Sequence, residues 1–388
     1  MTLPSWPFYE PDEIQAATDV LKSGRVNAWT GNDCSEFESA FAKQFDCRHG
    51  LTLANGSLAL EAALIGIGIG PGDDVLVTPR SFMASVSCVV LRGARPIFAD
   101  VDRDSQNVSV ETLEAARTPS TRAAVVVHLA GWPCDMPAIM KWAEKHSIKI
   151  IEDGSQAHGA SIDGQSVGSF GHAAAFSFCQ DKIMSTGGDG GMMITSDESI
   201  WKRAWSAREH GKSIDAVHRD DHPPGFRWLI ESFGSNWRMT GPQAAIGLKQ
   251  LEKLDDWCSR RQRNVDILKR CLDKVPCIRF PWPESSLRHA CYRGYCFIET
   301  DRLAKNWTRD RIMQAINESG WPCQVGSCPE IYREQAIVDA GMAPSHPLPI
   351  AQELGETGLC FLVHHTIDES QMNDYANAIE RIVTEASN

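Results

Sequence analysis

Seven short apolar runs constrain what this chain can fold into: 51–54, Val75–Thr78, Pro96–Asp100, Ala123–His128, Ile148–Glu152, Ala174–Phe178 and Met192–Thr195. Each has the length of a strand, and stretches with helical spacing, such as 108–117 and 136–146, separate several of them. A strand, a helix and a second strand pack most readily as a parallel pair, because the helix carries the chain back to the edge from which it started. The expected fold class is therefore α/β, a mostly parallel doubly wound sheet with ligands at the carboxyl ends of its strands.

Helical patterns frame this alternation. Residues 12–22 carry Ile14, Ala17 and Leu21 at helical spacing, with acidic residues at the end where the helix dipole favours them. Phe37, Phe41 and Phe45 recur every fourth residue and give a second helix one aromatic stripe, read as core. After about residue 240 the pattern changes. Residues 243–274 read as one or two long helices, and strands become fewer. In the last helix Met372, Tyr375, Ala376, Ile379, Ile382 and Val383 trace one face behind Asp368, an expected N-cap. The expected division is a large α/β domain over residues 1–245, then a connecting helix and a smaller α+β domain over 246–388.

A formal charge of −12 argues against nucleic acid or an anionic membrane as the partner. The N-terminal MTLPSWPFYE lacks the basic and apolar regions of a signal peptide, and the longest apolar run, 62–70, is too short to span a bilayer. A cytoplasmic protein is expected. Thirteen cysteines without any C-x-x-C read as reduced thiols, neither a disulfide frame nor a metal site. Two glycine patterns fail as nucleotide motifs. Gly66, Gly68, Gly70 and Gly72 end a helix, with Pro71 among them, and Gly211-Lys212-Ser213 has Ser206 where a P-loop needs its first glycine.

The candidate chemistry lies at strand ends. Lys182 follows the run Ala174–Phe178 and precedes Gly187, Gly188, Gly190 and Gly191, grouped around Asp189. Alone it reads as a surface lysine before a turn; at a strand end it reads as a nucleophilic amine facing a cleft. Asn55-Gly56-Ser57 opens a helix, either as an ordinary serine N-cap or as a phosphate site built from free N–H groups and a hydroxyl. Asp153 ends the strand IKIIED, and either caps the next turn or pairs with a cationic ring nitrogen. Phe82 is either core or a platform for a flat cofactor. Phosphate cradle, carboxylate, aromatic face and lysine together answer the needs of pyridoxal phosphate, whose protonated ring withdraws electrons from a carbanion.

At these residues the chain resembles the DegT/DnrJ/EryC1/StrS sugar aminotransferase family of fold-type-I pyridoxal-phosphate enzymes. The resemblance covers essentially the whole length. It runs through LKSGRVNAWTGNDCSEFESAFAKQF, LANGSLALEAALIGIGIGPGDDVLVTPRSFMAS, GARPIFADVD, VHLAGWPCDM, IEDGSQAHGA, the Lys182 stretch and SNWRMTGPQAAIGLKQLEKLD. It implies an aspartate-aminotransferase-like fold, Lys182 as the Schiff-base lysine and Asp153 as the partner of the pyridine nitrogen. It further implies Gln156 beside the phenolic oxygen, Phe82 stacked on the ring, and Gly56, Ser57 and Ser177 on the phosphate. Asn236 would reach the phosphate in the neighbouring subunit, which makes a homodimer with shared active sites. No metal is implied. The chain departs from the family at Asn55 and Ser57, where Ser-Gly-Thr is common, and at Cys-Gln-Asp before the lysine, where a His-Pro pattern is frequent.

Some members of that family carry histidine in place of the lysine and remove a sugar hydroxyl, so Lys182 implies transamination. An amino donor, expected to be glutamate, leaves as 2-oxoglutarate, and the pyridoxamine phosphate form aminates a keto-sugar, expected to be nucleotide-linked. Lys182 moves the proton as general acid and base. The setting implied is bacterial-type polysaccharide or amino-sugar biosynthesis. Seven Lys and Arg against five acids between Trp201 and Arg238 suit a diphosphate or a solvated face. Two other readings stay open: a sugar dehydratase using the same cofactor, and a non-catalytic sensor on the same fold.

Overall fold

A computed structural model describes residues 3–222 and 224–387. The elements follow in chain order: α1 (Pro11–Ser23), α2 (Asp33–Gln44), β1 (His49–Leu53), α3 (Gly56–Ile67), β2 (Asp74–Val77), α4 (Ala84–Leu91), β3 (Arg95–Phe98), α5 (Val110–Ala116) and β4 (Thr121–Val127). Next come α6 (Met136–His146), β5 (Lys149–Asp153), the short pair β6 (Ser161–Ile162) and β7 (Gln165–Ser166), β8 (Ala173–Ser177), β9 (Gly191–Thr195), α7 (Glu198–Arg208) and α8 (Ile214–Val217). The chain closes with α9 (Gly241–Leu272), β10 (Ile278–Arg279), β11 (Leu287–Arg288), β12 (Gly294–Ile298), α10 (Arg309–Glu318), α11 (Gln335–Asp339), α12 (Pro349–Thr357), β13 (Gly358–Phe361) and α13 (Glu369–Glu385).

The large sheet has the order β1-β9-β8-β5-β4-β2-β3. Its run from β8 to β3 is parallel, as the alternation of strands and helices requires, while β9 pairs antiparallel with both β8 and β1. The reversal has a local cause: residues 178–190, between β8 and β9, form a loop and not a crossover helix. Successive strand residues point to opposite faces. Leu51, Leu53, Val75, Val77, Val125, Ile151 and Ala175 face one core with α3, α4 and α7. Leu76, Ala124, Val126 and Ile150 face another with α6, and Phe176, Met192 and Ile194 pack on α2 and α9.

The Phe37, Phe41 and Phe45 stripe is buried there, with Phe41 and Phe45 stacked at 4.3 Å. In α1 the expected apolar face is not the inner one. Ile14 and Leu21 are exposed, whereas Glu13 is buried and takes Lys253 Nζ at 3.1 Å. α9 starts from a capping box between Thr240 and Gln243 and carries the chain to a second core, where β10, β12 and β13 form an antiparallel sheet under α10 and α13. Asp368 caps α13, accepting from Gln371 N–H at 2.8 Å. No helix of the described residues is long and apolar enough to cross a membrane.

Candidate active site

Asp153 is the last residue of β5 and Ser177 the last of β8, on neighbouring parallel strands. α3 begins beside them. Its N-cap is Asn55, whose side chain accepts from Leu58 N–H at 3.0 Å, so the serine-cap reading of Ser57 is corrected. The Ser57 hydroxyl is left exposed on the first turn, where free N–H groups and the helix dipole favour an anion. Glycine is required at 56 by close approach: a Cβ there would lie 2.5 Å from Ser177 Cβ. At Gly191 it would lie 2.2 Å from the Asn55 carbonyl oxygen, which explains one glycine of the cluster after Lys182.

These ends enclose a cavity of about 580 Å³, lined by Gly56, Ser57, Phe82, Asp153, Gln156, Ser177 and Lys182 together with Ser85 and Asp181. Asp153 is buried and held at both oxygens. Ser85 Oγ–H donates to Oδ2 at 2.7 Å, and Ser155 N–H donates to Oδ1 at 3.1 Å. The turn-capping reading of Asp153 is thus seen, but it occupies only one oxygen. Ser81 Oγ lies 3.0 Å from Ser85 Oγ and extends the chain of hydroxyls. Gln156 Oε1 accepts from Ala130 N–H at 2.7 Å, which fixes the orientation of its amide. Phe82 is 69% exposed although apolar, so it is a ring standing at the cavity and not core.

Lys182 Nζ lies 3.5 Å from Asp181 Oδ1 and 5.1 Å from the centre of the Tyr292 ring, whose hydroxyl donates to Asp181 Oδ2. Burial pushes the Asp181 carboxyl up, but the Lys182 charge and the Tyr292 hydroxyl outweigh it and hold it below the usual carboxylate range. Burial pushes the Tyr292 hydroxyl up. Backbone bonds to the short helical turn after β4 seat Tyr292 here: its N–H donates to Ala130 O, and Ala290 N–H donates to Gly131 O, both at 2.9 Å. Ser85, Asp181 and Tyr292 extend the set read from sequence. Ser85 was accessible as a polar position one turn past Phe82 in an apolar helix; the Asp181–Tyr292 pair, 111 residues apart, carries no sequence signal.

Asn236 does not join them. It is exposed in the segment between α8 and α9, bridged to Glu209 by backbone pairing, and does not line the cavity of its own chain. Much of the basic excess around it is neutralised locally. Arg208 and Arg238 both pair with Glu209, at 3.0 and 2.6 Å, and Lys202 pairs with Asp215 at 2.8 Å.

The arrangement suits a flat phosphorylated aromatic with an electrophilic carbon. The anion site at α3, the fixed carboxylate, the exposed ring and the amine belong to different elements yet open on one cavity. Comparison with known proteins points the same way. The sequence model of the DegT/DnrJ/EryC1/StrS aminotransferase family matches residues 8–380. GDP-perosamine synthase of Caulobacter vibrioides is 33% identical over 350 residues, covering 90% of this chain and 89% of that protein. The spore coat polysaccharide biosynthesis protein SpsC of Bacillus subtilis is 33% identical over 314 residues, 81% of this chain and 79% of that one. Among solved structures, an aminotransferase from Psychrobacter cryohalolentis is 46% identical, with a TM-score of 0.96 and 98% of each chain covered.

Proposed function

The chain belongs to the DegT/DnrJ/EryC1/StrS aminotransferase family, and from that premise we propose that it moves an amino group from glutamate to a keto-sugar carried on a nucleotide diphosphate. That it is a pyridoxal-phosphate-dependent sugar aminotransferase follows from the family and its relatives. The donor and the nucleotide-linked acceptor are the proposal, and the acceptor is supported by similarity to a GDP-perosamine synthase. The observation that carries the reading is the meeting of Lys182, Asp153, Phe82 and the α3 N-terminus on one cavity.

When bound, pyridoxal phosphate supplies the carbon that carries the amino group and a ring that withdraws electrons. The residues present fit it. In this reading Ser57, Ser177 and the Gly56 N–H would hold the phosphate, Asp153 would favour a protonated ring nitrogen, and Gln156 and Phe82 would hold the rest of the ring. Lys182 would be the residue that holds the cofactor through its amine. As a free amine its Nζ would accept a proton and return it. Asp181 offsets the charge Nζ then carries, from 3.5 Å.

We propose further that the protein works as a twofold homodimer in the cytoplasm, with Asn236 completing the phosphate site of the partner subunit. Its exposure and its separation from its own cavity support this, as do the exposed Phe226, Trp228 and Phe233 in the same segment. The test of the activity is incubation with glutamate and a panel of nucleotide-linked keto-sugars. Expected is 2-oxoglutarate in step with an aminated sugar. A deoxygenated sugar, or 2-oxoglutarate formation that no acceptor sustains, refutes the proposal.

A further inference from the structure

The N-terminal segment, residues 3–10, lies outside the sheet and contributes nothing to the cavity lining, yet it touches the lysine loop at three points. Trp6 Nε1–H donates to the backbone carbonyl of Lys182 at 2.7 Å. Tyr9 accepts from Gly187 N–H at 3.1 Å, and its hydroxyl lies 3.0 Å from Ser185 Oγ. These bonds hold the loop at Lys182 itself and on its C-terminal side, at Ser185 and Gly187.

The segment is itself anchored at each end. Leu3 packs on the second core, and the Ser5 carbonyl accepts from Thr366 Oγ1–H at 3.4 Å. Trp6 lies edge-on to His365 at 4.5 Å and to Trp257 of α9 at 5.4 Å. Just beyond, Lys253 of α9 pairs with Glu10 at 2.8 Å and with Glu13 at 3.1 Å. Within the loop, Ser185 N–H donates to Gln250 of α9 at 2.7 Å, so strap and helix hold it together. Residues 178–190 have no helix or strand of their own to set the place of Lys182. Backbone bonds within the loop, Lys182 N–H to Cys179 O and Gln180 N–H to Gly188 O, both at 2.9 Å, shape the turn, and the contacts from Trp6, Tyr9 and Gln250 tie that turn to the rest of the fold.

We propose that Trp6 is a positioning residue for the amino transfer, with Tyr9 as its second point: the N-terminal segment is a strap that fixes the backbone of Lys182 so that Nζ reaches the reacting carbon. This rests on the assignment of Lys182 as the linking lysine. The strap acts on the reach of the amine and leaves the walls of the cavity unchanged. It therefore affects covalent attachment and turnover, not non-covalent affinity.

The experiment compares the full-length protein with Trp6→Phe, which removes the N–H and keeps a ring against Trp257, and with Tyr9→Phe. Each is stripped of cofactor and given two probes. Pyridoxamine phosphate has no aldehyde and reports the cavity alone; pyridoxal phosphate reports the covalent step through the absorbance of the linkage. Expected for Trp6→Phe is a covalent step and a kcat about three- to tenfold lower, the scale of one lost hydrogen bond, with KM and pyridoxamine phosphate affinity unchanged. Tyr9→Phe shows the same pattern to a lesser degree. Covalent rates within twofold of the parent in both variants overturn the proposal. So does an equal fall in affinity for both probes, which marks the segment as support for the whole cavity. Borohydride reduction separates the two levels of inference: a label on a lysine other than Lys182 in the unaltered protein overturns the assignment itself.

Discussion

Mild acid should unfold this protein well above the carboxylate range, because four histidines are buried in neutral form. Burial lowers His158, His289 and His364 to about 3 and His365 to about 2, and the buried Arg261 adds repulsion at His158, His364 and His365. All four have little or no exposure. The folded protein therefore leaves them unprotonated, whereas in the unfolded chain each titrates near 6.5. With depressed native values, the stability they contribute is present above the unfolded pKa and is lost as pH falls below it. Between about pH 7 and 5.5 each costs about 1.3 kcal/mol, or about 5 kcal/mol for the four. That is comparable with the whole stability of many domains.

The assay is urea unfolding of the cofactor-free protein across that interval, with proton uptake on unfolding measured by indicator dye at the lower pH. Expected is an uptake of nearly four protons per chain. His158 supplies an internal check, since neither ring nitrogen has a partner among the described residues and its neighbours are Phe41, Phe176 and Phe178. His158→Phe should reduce the uptake by about one proton, whatever it does to stability at neutral pH. An unfolding free energy that stays level over the interval, or an uptake of fewer than about two protons, refutes the reasoning.

The site makes its own demands. Borohydride should fix the cofactor on the peptide containing Lys182, and Lys182→Ala should yield no such label; a persistent reducible chromophore in that variant removes Lys182 from its role. Asp153→Asn should bind cofactor but turn over about a hundredfold more slowly or worse, because a fixed charge in a buried site is lost; near-normal turnover leaves Asp153 as a turn cap only. Mixing Lys182→Ala with Asn236→Ala after subunit exchange should restore part of the activity if Asn236 serves the partner. No recovery despite demonstrated exchange places Asn236 in its own subunit's chemistry.

What the sequence disclosed follows from where each determinant resides. The parallel strands β2, β3, β4, β5 and β8 were legible because a run such as Ala123–His128 is a strand by its own composition, and its helical neighbours dictate a parallel partner; the two-residue β6 and β7 were not. The places of Asp153 and Gly56 were legible because they sit at a strand end and a helix start, where packing at 56 admits no Cβ, and Lys182 was singled out as a lone lysine in the loop just beyond β8. The reversal at β9 was not, since nothing in Met192–Thr195 records that the preceding loop lacks a helix. The buried face of α1 failed for a related reason. Glu13 is turned inward by Lys253, 240 residues away, and no local periodicity can contain that instruction.

The same reasoning separates the lysine from what holds it. The proposed proton transfer demands an amine, so Lys182 could be put forward from its residue type alone, in the loop just beyond β8. The long-range bonds on its loop include those from Trp6, Tyr9 and Gln250, and a partner of the adjoining Asp181 is Tyr292. Any donor able to reach the Lys182 carbonyl would satisfy it, and any hydroxyl on the facing segment could serve Asp181, so chemistry does not prescribe the residue. Only the fold does, by bringing together positions 176 residues apart in one case and 111 in the other. A site whose reacting groups can be named from sequence therefore still depends on positioning residues that cannot.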